Sequence, residues 1–151
     1  QGKKMGISCL IFYDTVRLDK FKPINDTHGH EAGDWVLQEV AKRIEGALRA
    51  SDTAARVGGD EFLAFLPDLK SSYDALAVAE KIRLALEDPF VTPSGVTLQV
   101  SASIGIAIFP DQAQSEEDLW RLGDLAMYEA KKAGGNAVRM SLYPSESDGQ
   151  S

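Results

Sequence analysis

The sequence predicts an α+β sandwich of the split-βαβ, ferredoxin-like kind, and three observations lead there. Residues 7–13 (ISCLIFY) form a short, continuous apolar run with β-branched and aromatic members, the pattern of a buried central strand. The paired glycines Gly58-Gly59 sit between apolar runs in AARVGGDEFLAFLP (54–67), and glycine takes the positive φ that a tight hairpin needs. Segments with helical apolar spacing fall between the strand-like ones. The order is β-α-β-β-α-β with one more helix. Two βαβ halves around a central hairpin set the first strand beside that hairpin.

In chain order, the first strand ends at Asp14. Residues 15–34 (TVRLDKFKPINDTHGHEAGD) are polar and glycine-rich, and Pro23 opposes a regular helix interior, so a turn or two of helix is expected there. Gly33-Asp34 opens a helix in which Val36, Leu37, Val40, Ala41, Ile44, Ala47 and Leu48 recur at helical spacing through Ala50. The hairpin follows Ser51-Asp52. Ser71 or Ser72 caps a second helix to about Glu87, which Asp88-Pro89 stops. Residues 91–95 are a loop or small hairpin. Residues 98–109 (LQVSASIGIAIF) alternate with period two as one long strand, in which Gly105 marks close backbone approach. Ser115 and Asp118 begin a third helix carrying Leu119, Leu122, Ala126, Met127 and Ala130, which stops at Gly134-Gly135.

A chain of 151 residues suits one domain, expected over 1–140, with 141–151 as a polar tail or linker of a larger protein. Its net charge of −7 disfavours a nucleic-acid polymer as partner, since a polyanion is repelled. Cys9 stands alone within an apolar run, which excludes a disulfide framework and suits a reducing, cytoplasmic setting. No apolar stretch reaches the length of a membrane span, and no membrane contact is expected from this segment.

Acidic groups on a rigid hairpin tip can hold a hard cation such as Mg²⁺ through oxygen ligands. Asp60 and Glu61 follow the glycine pair, and the split-βαβ topology lets Asp14 or Asp19 approach them from across the sheet. A turn without side chains also lets a phosphate or a base lie close to the backbone.

These residues resemble GGDEF domains, the diguanylate cyclases that condense two GTP into cyclic di-GMP. The motifs are DKFKPINDTHGHEAGD (19–34), RASDTAARVGGDEF (49–62), SASIGIAIFP (101–110) and GDLAMYEAKKAGGN (123–136), in the family's order and covering most of residues 7–139. The resemblance implies a nucleotidyl-cyclase-like central antiparallel sheet flanked by helices. It implies Mg²⁺ or Mn²⁺ on Asp14 and Asp60, with Glu61 a further metal ligand or the group assisting deprotonation of the attacking hydroxyl. Gly58 and Gly59 would let the nucleotide lie on the hairpin, Asn25 and Asp34 would read the guanine edge, and His30 would sit nearby. Lys22 and Lys131 would contact phosphates. Arg49-Ala50-Ser51-Asp52 matches the family's Arg-x-x-Asp product-inhibition motif, with Arg83 a weaker candidate for a second arginine there. Catalysis would need an antiparallel homodimer, because one site cannot hold both substrates.

Two departures qualify the match. The family writes Asp-x-Asp-x-Phe-Lys at the end of its first strand, whereas here Arg17 stands two places before Asp19. An insertion of Thr15-Val16-Arg17 restores the pattern and leaves Asp14 as the strand-end acid. Gly135 stands where many members carry arginine. The alternative reading is therefore an impaired domain that binds GTP or cyclic di-GMP and regulates an attached module. The segments DPF, SIGIAIFP and DLAMYEAKK look most like GGDEF domains that precede an EAL domain, so an attached EAL or sensor domain is expected.

Overall fold

The computed structural model describes residues 7–14, 18–59, 61–109 and 115–140, without the side chains of residues 7–30 and 116. Its elements are β1 (Ile7–Asp14), α1 (Leu18–Gly46), β2 (Thr53–Gly58), β3 (Glu61–Leu69), α2 (Ser72–Glu87), β4 (Phe90–Val91), β5 (Thr97–Leu98), β6 (Ser103–Phe109), α3 (Glu116–Lys132) and β7 (Ala137–Met140). The sheet order is β2-β3-β1-β6-β7. The first four strands are antiparallel in the split-βαβ arrangement that the element order predicts, and β7 adds a fifth, parallel to β6.

Alternation along the strands builds two cores. Phe62, Ala64 and Leu66 of β3 and Ile104, Ile106 and Ile108 of β6 face α1 and α2, meeting Val36, Val40, Ile44, Ala79, Ile82 and Leu86. The intervening positions Leu63, Ala107 and Phe109 face α3 through Leu119, Leu122 and Met127. The result is three layers, with helices on both faces of the sheet.

Both later helices begin where the sequence sets them. The Asp74 carboxylate accepts from the Ser71 N–H, ordering the first turn of α2. The Asp118 N–H donates to Ser115 Oγ at 3.2 Å, capping α3. After Lys132 the chain turns through Gly134 and Gly135 at φ of 113° and 79°, and the Gly135 N–H closes on the Ala130 carbonyl.

Four expectations are corrected. Helix α1 begins at Leu18 rather than Gly33, so Pro23 lies inside it. Proline removes one main-chain bond, a local loss that need not end a helix, and apolar periodicity registers only the stretch from Val36 onward. Helix α1 also ends at Gly46, and residues 47–48 close in tighter turns onto the Ile44 and Glu45 carbonyls instead of extending it to Ala50. The long strand over 98–109 is two: Thr97–Leu98 pairs with Phe90–Val91, while Ser103–Phe109 enters the sheet. Leu98 and Val100 are buried on either side of the exposed Gln99 all the same, because alternate burial requires only extended backbone, not a ladder partner. Strand β7 was not expected, since four residues with no alternation become a strand only against β6. The tail at 141–151 and the insertion at Thr15–Arg17 lie outside the described residues.

One anchor between helices carries no local sequence signal. Arg43 of α1 donates to the Ala85, Asp88 and Pro89 carbonyls at 2.7–2.9 Å, and its guanidinium lies 3.6 Å over the Phe90 ring. It satisfies carbonyls that the end of α2 leaves open, and its positive charge suits the negative end of that helix.

Candidate active site

The hairpin tip is a two-stranded turn in which Gly58 pairs with Glu61 and Gly59 adopts φ 48°. That left-handed conformation favours glycine, and the Arg56 Nε donates to the Gly59 carbonyl at 2.6 Å to close the turn. Asp60 lies outside the described residues. Glu61 opens β3 and is exposed.

Register brings distant segments together. Asp14, the last residue of β1, pairs with Glu61 of β3 on one side and with Ser103 of β6 on the other. Cross-strand partners share a face of a sheet, so Glu61, Asp14 and Ser103 occupy one row on the face that α3 covers. Ser103 is fully buried, and its hydroxyl makes no hydrogen bond. This row fits a hard divalent cation, since its two acids offer only oxygen donors. No cage of three or more His, Cys, Asp or Glu side chains is assembled among the described residues.

Beside the hairpin, a groove of about 190 Å³ runs between α1 and β2, lined by Leu37, Gln38, Ala41, Ala54, Ala55 and Phe62. Asp34 is exposed one turn earlier on the same face of α1 as Leu37, Gln38 and Ala41. The side chains of Lys22, Asn25 and His30, also on α1, lie outside the description. Lys131 is half-buried in the last turn of α3.

Arg49 and Asp52 form a second, separate unit. Arg49 Nη2 and Nε both donate to Asp52 Oδ1, at 2.6 and 3.0 Å, while the Arg49 main-chain N–H donates to Oδ2 at 2.7 Å. These bonds, with the charge of Asp52, hold the guanidinium pKa above its ordinary value. Nη2 also reaches the Pro67 carbonyl, at a bulge where Asp68 takes φ 56°. The Asp52 side chain is buried while that of Arg49 is 44% exposed, so the arginine presents an accessible edge to a groove of about 300 Å³.

Arg83 has partners of its own. It donates to Glu80 and, at 3.0 Å, to Asn136 Oδ1, while Asn136 Nδ2 donates to Glu87 at 2.6 Å. Its guanidinium holds α2 against the turn between α3 and β7, and it does not line the Arg49 groove among the described residues.

The family model described as diguanylate cyclase, GGDEF domain, matches residues 9–137. The chain belongs to the GGDEF family. It is 42% identical over 132 residues to the diguanylate cyclase TpbB of Pseudomonas aeruginosa, covering 87% of this chain and 30% of that protein. The crystal structure of the TpbB GGDEF domain superposes with a TM-score of 0.85 at 41% identity, covering 91% of this chain and 83% of that one. A GGDEF domain of DgcB from Caulobacter crescentus, solved in complex with c-di-GMP, gives a TM-score of 0.78 at 31% identity over 89% of this chain and 77% of that one. An EAL/GGDEF domain protein from M. capsulatus gives 0.80 at 40% identity over 91% and 86%. The GGDEF chain thus spans about a third of the curated relative it matches.

Proposed function

We propose that this chain is the catalytic domain of a diguanylate cyclase, joining two GTP molecules into cyclic di-GMP with release of two pyrophosphates. The observation that carries the reading is the register of Asp14 with Glu61 at the base of a glycine hairpin, in a chain of the GGDEF family. Each 3′-hydroxyl attacks the α-phosphate of the other nucleotide, so the site must hold a triphosphate, take up the hydroxyl proton and stabilise developing charge. Gly58 and Gly59 let the nucleotide lie on the hairpin. Asp34, with Asn25, accepts from and donates to the guanine edge, and the apolar wall of Leu37 and Ala41 lies next to it. His30 sits near the nucleotide, and Lys22 and Lys131 meet phosphates. Glu61 assists deprotonation. Asp14, Asp60 and Glu61 would hold Mg²⁺ or Mn²⁺, which when bound screens the triphosphate and draws charge from the reacting phosphorus.

In this reading the exposed edge of Arg49 takes cyclic di-GMP as feedback ligand, with Asp52 orienting the guanidinium. Arg83, which holds Glu80 and Asn136 in this structure, is the weaker candidate for a second arginine of that unit. Catalysis requires a homodimer that brings two loaded sites face to face. We also propose a cytoplasmic location and a neighbouring EAL or sensor domain in the parent protein; among the described residues no helix is long and apolar enough to cross a membrane. Arg17, standing where the family has an acid, favours a second reading in which the domain binds GTP or cyclic di-GMP without turnover.

The test is incubation of the chain, stripped of bound nucleotide, with GTP and Mg²⁺, and chromatography of the products. Cyclic di-GMP is expected from the wild type, and from Glu61→Gln at least about a hundredfold less, with an unchanged melting temperature. Binding of GTP or cyclic di-GMP without product would select the second reading.

A further inference from the structure

Ser103 opens β6 fully buried, and among the described residues its hydroxyl is the only buried side-chain polar group without a hydrogen bond. Buried polar groups are nearly always paired, so this one asks for a reason. Its neighbours in the sheet supply one. Ser103 pairs with Asp14 of β1, and Asp14 pairs with Glu61 of β3. On its other side Ser103 pairs with Ala137 of β7, whose methyl accepts nothing. The next same-face position along β6 is Gly105, which has no side chain and lies under the backbone of α3 at Met127. The cross-strand position with an acceptor to offer is Asp14.

We propose that Ser103 is a positioning residue of the acidic row, its O–H reserved for the Asp14 carboxylate when that carboxylate holds a divalent cation. This rests on the reading of the row as a nucleotide–cation site. The hydroxyl donates to one carboxylate oxygen, fixes its orientation and leaves the other oxygen for the cation. Partners of this kind set the affinity of the ligand they orient.

The probe is Mn²⁺, titrated into the 151-residue chain with a GTP analogue bridged by methylene between its α- and β-phosphates. Free Mn²⁺ is read by electron paramagnetic resonance and stability by thermal melting, neither of which needs turnover. For Ser103→Ala the cation-free Tm should equal or exceed that of the wild type, because an unpaired buried hydroxyl has gone. Its Mn²⁺ affinity should fall about tenfold. Ser103→Cys keeps the volume but donates weakly, so it should lose affinity in the same way and separate loss of the donor from loss of packing. Unaltered Mn²⁺ affinity in both variants, or a cation-free Tm well below wild type in both, overturns the proposal. Failure of the wild type to bind Mn²⁺ would instead remove the cation-site reading, and the role of Ser103 with it.

Discussion

Arg83 shows how a single residue's role depends on partners far along the chain. Glu80 is one turn away on α2, but Asn136 lies 53 residues on, at φ 49° in the turn before β7. The hydrogen bond from Arg83 is the main reason that the Glu80 carboxyl titrates below its ordinary range. Because the folded-state pKa is depressed, the pair stabilises the fold above the unfolded pKa of the glutamate. That contribution is lost as pH falls through the lower folded value. The Glu80 side chain is 46% exposed, so solvent screens the pair and the contribution is about 0.5 kcal/mol. Urea unfolding of wild type and Glu80→Gln should therefore differ at neutral pH and converge as pH falls below the lowered pKa of Glu80. A difference that persists there, or grows, would contradict this account. The sequence shows an arginine on a helix; its partner Asn136 is brought to it only by the fold.

At the scale of elements, α3, which carries Lys131, packs on β6, which Ser103 opens. Gly105 makes that contact possible. A Cβ at this position would lie 2.3 Å from the Met127 N and 2.4 Å from the Gly123 carbonyl, both backbone atoms that cannot move alone. Gly105→Ala must lift the helix off the strand, and a loss of about 3 kcal/mol or more is expected in chemical denaturation. A variant within about 0.5 kcal/mol of wild type would mean that the helix shifts freely. The glycine stood out in the sequence as a break in an otherwise bulky strand, which is why close approach was legible there. The identity of the covering helix was not. Nor was β7, whose strand character comes from pairing with β6 alone.

Across the whole molecule, the candidate site draws on β1, α1, the β2–β3 hairpin, β6 and α3, all brought to one end of the sheet. Under the proposed function each protomer offers one hairpin, and joining two nucleotides requires two protomers. Under the proposed function, the rate of cyclic di-GMP formation per protomer should fall in proportion to protein concentration at high dilution. A specific rate indifferent to dilution over about a hundredfold would argue against a reversible catalytic dimer.

Local chemistry made much of this readable from residues alone: the glycine pair of the hairpin, the serine caps of α2 and α3, the period of the strands that pack on both faces. Those signals act over a few positions and need no distant partner. The tertiary structure decided what depends on register and on contacts between remote segments. It set Asp14 between Glu61 and Ser103, gave Arg43 to the end of α2, committed Arg83 to Asn136 and left the Ser103 hydroxyl unpaired. A one-residue slip between strands turns a side chain to the opposite face. Only the assembled sheet could therefore place Asp14, Glu61 and Ser103 in one row.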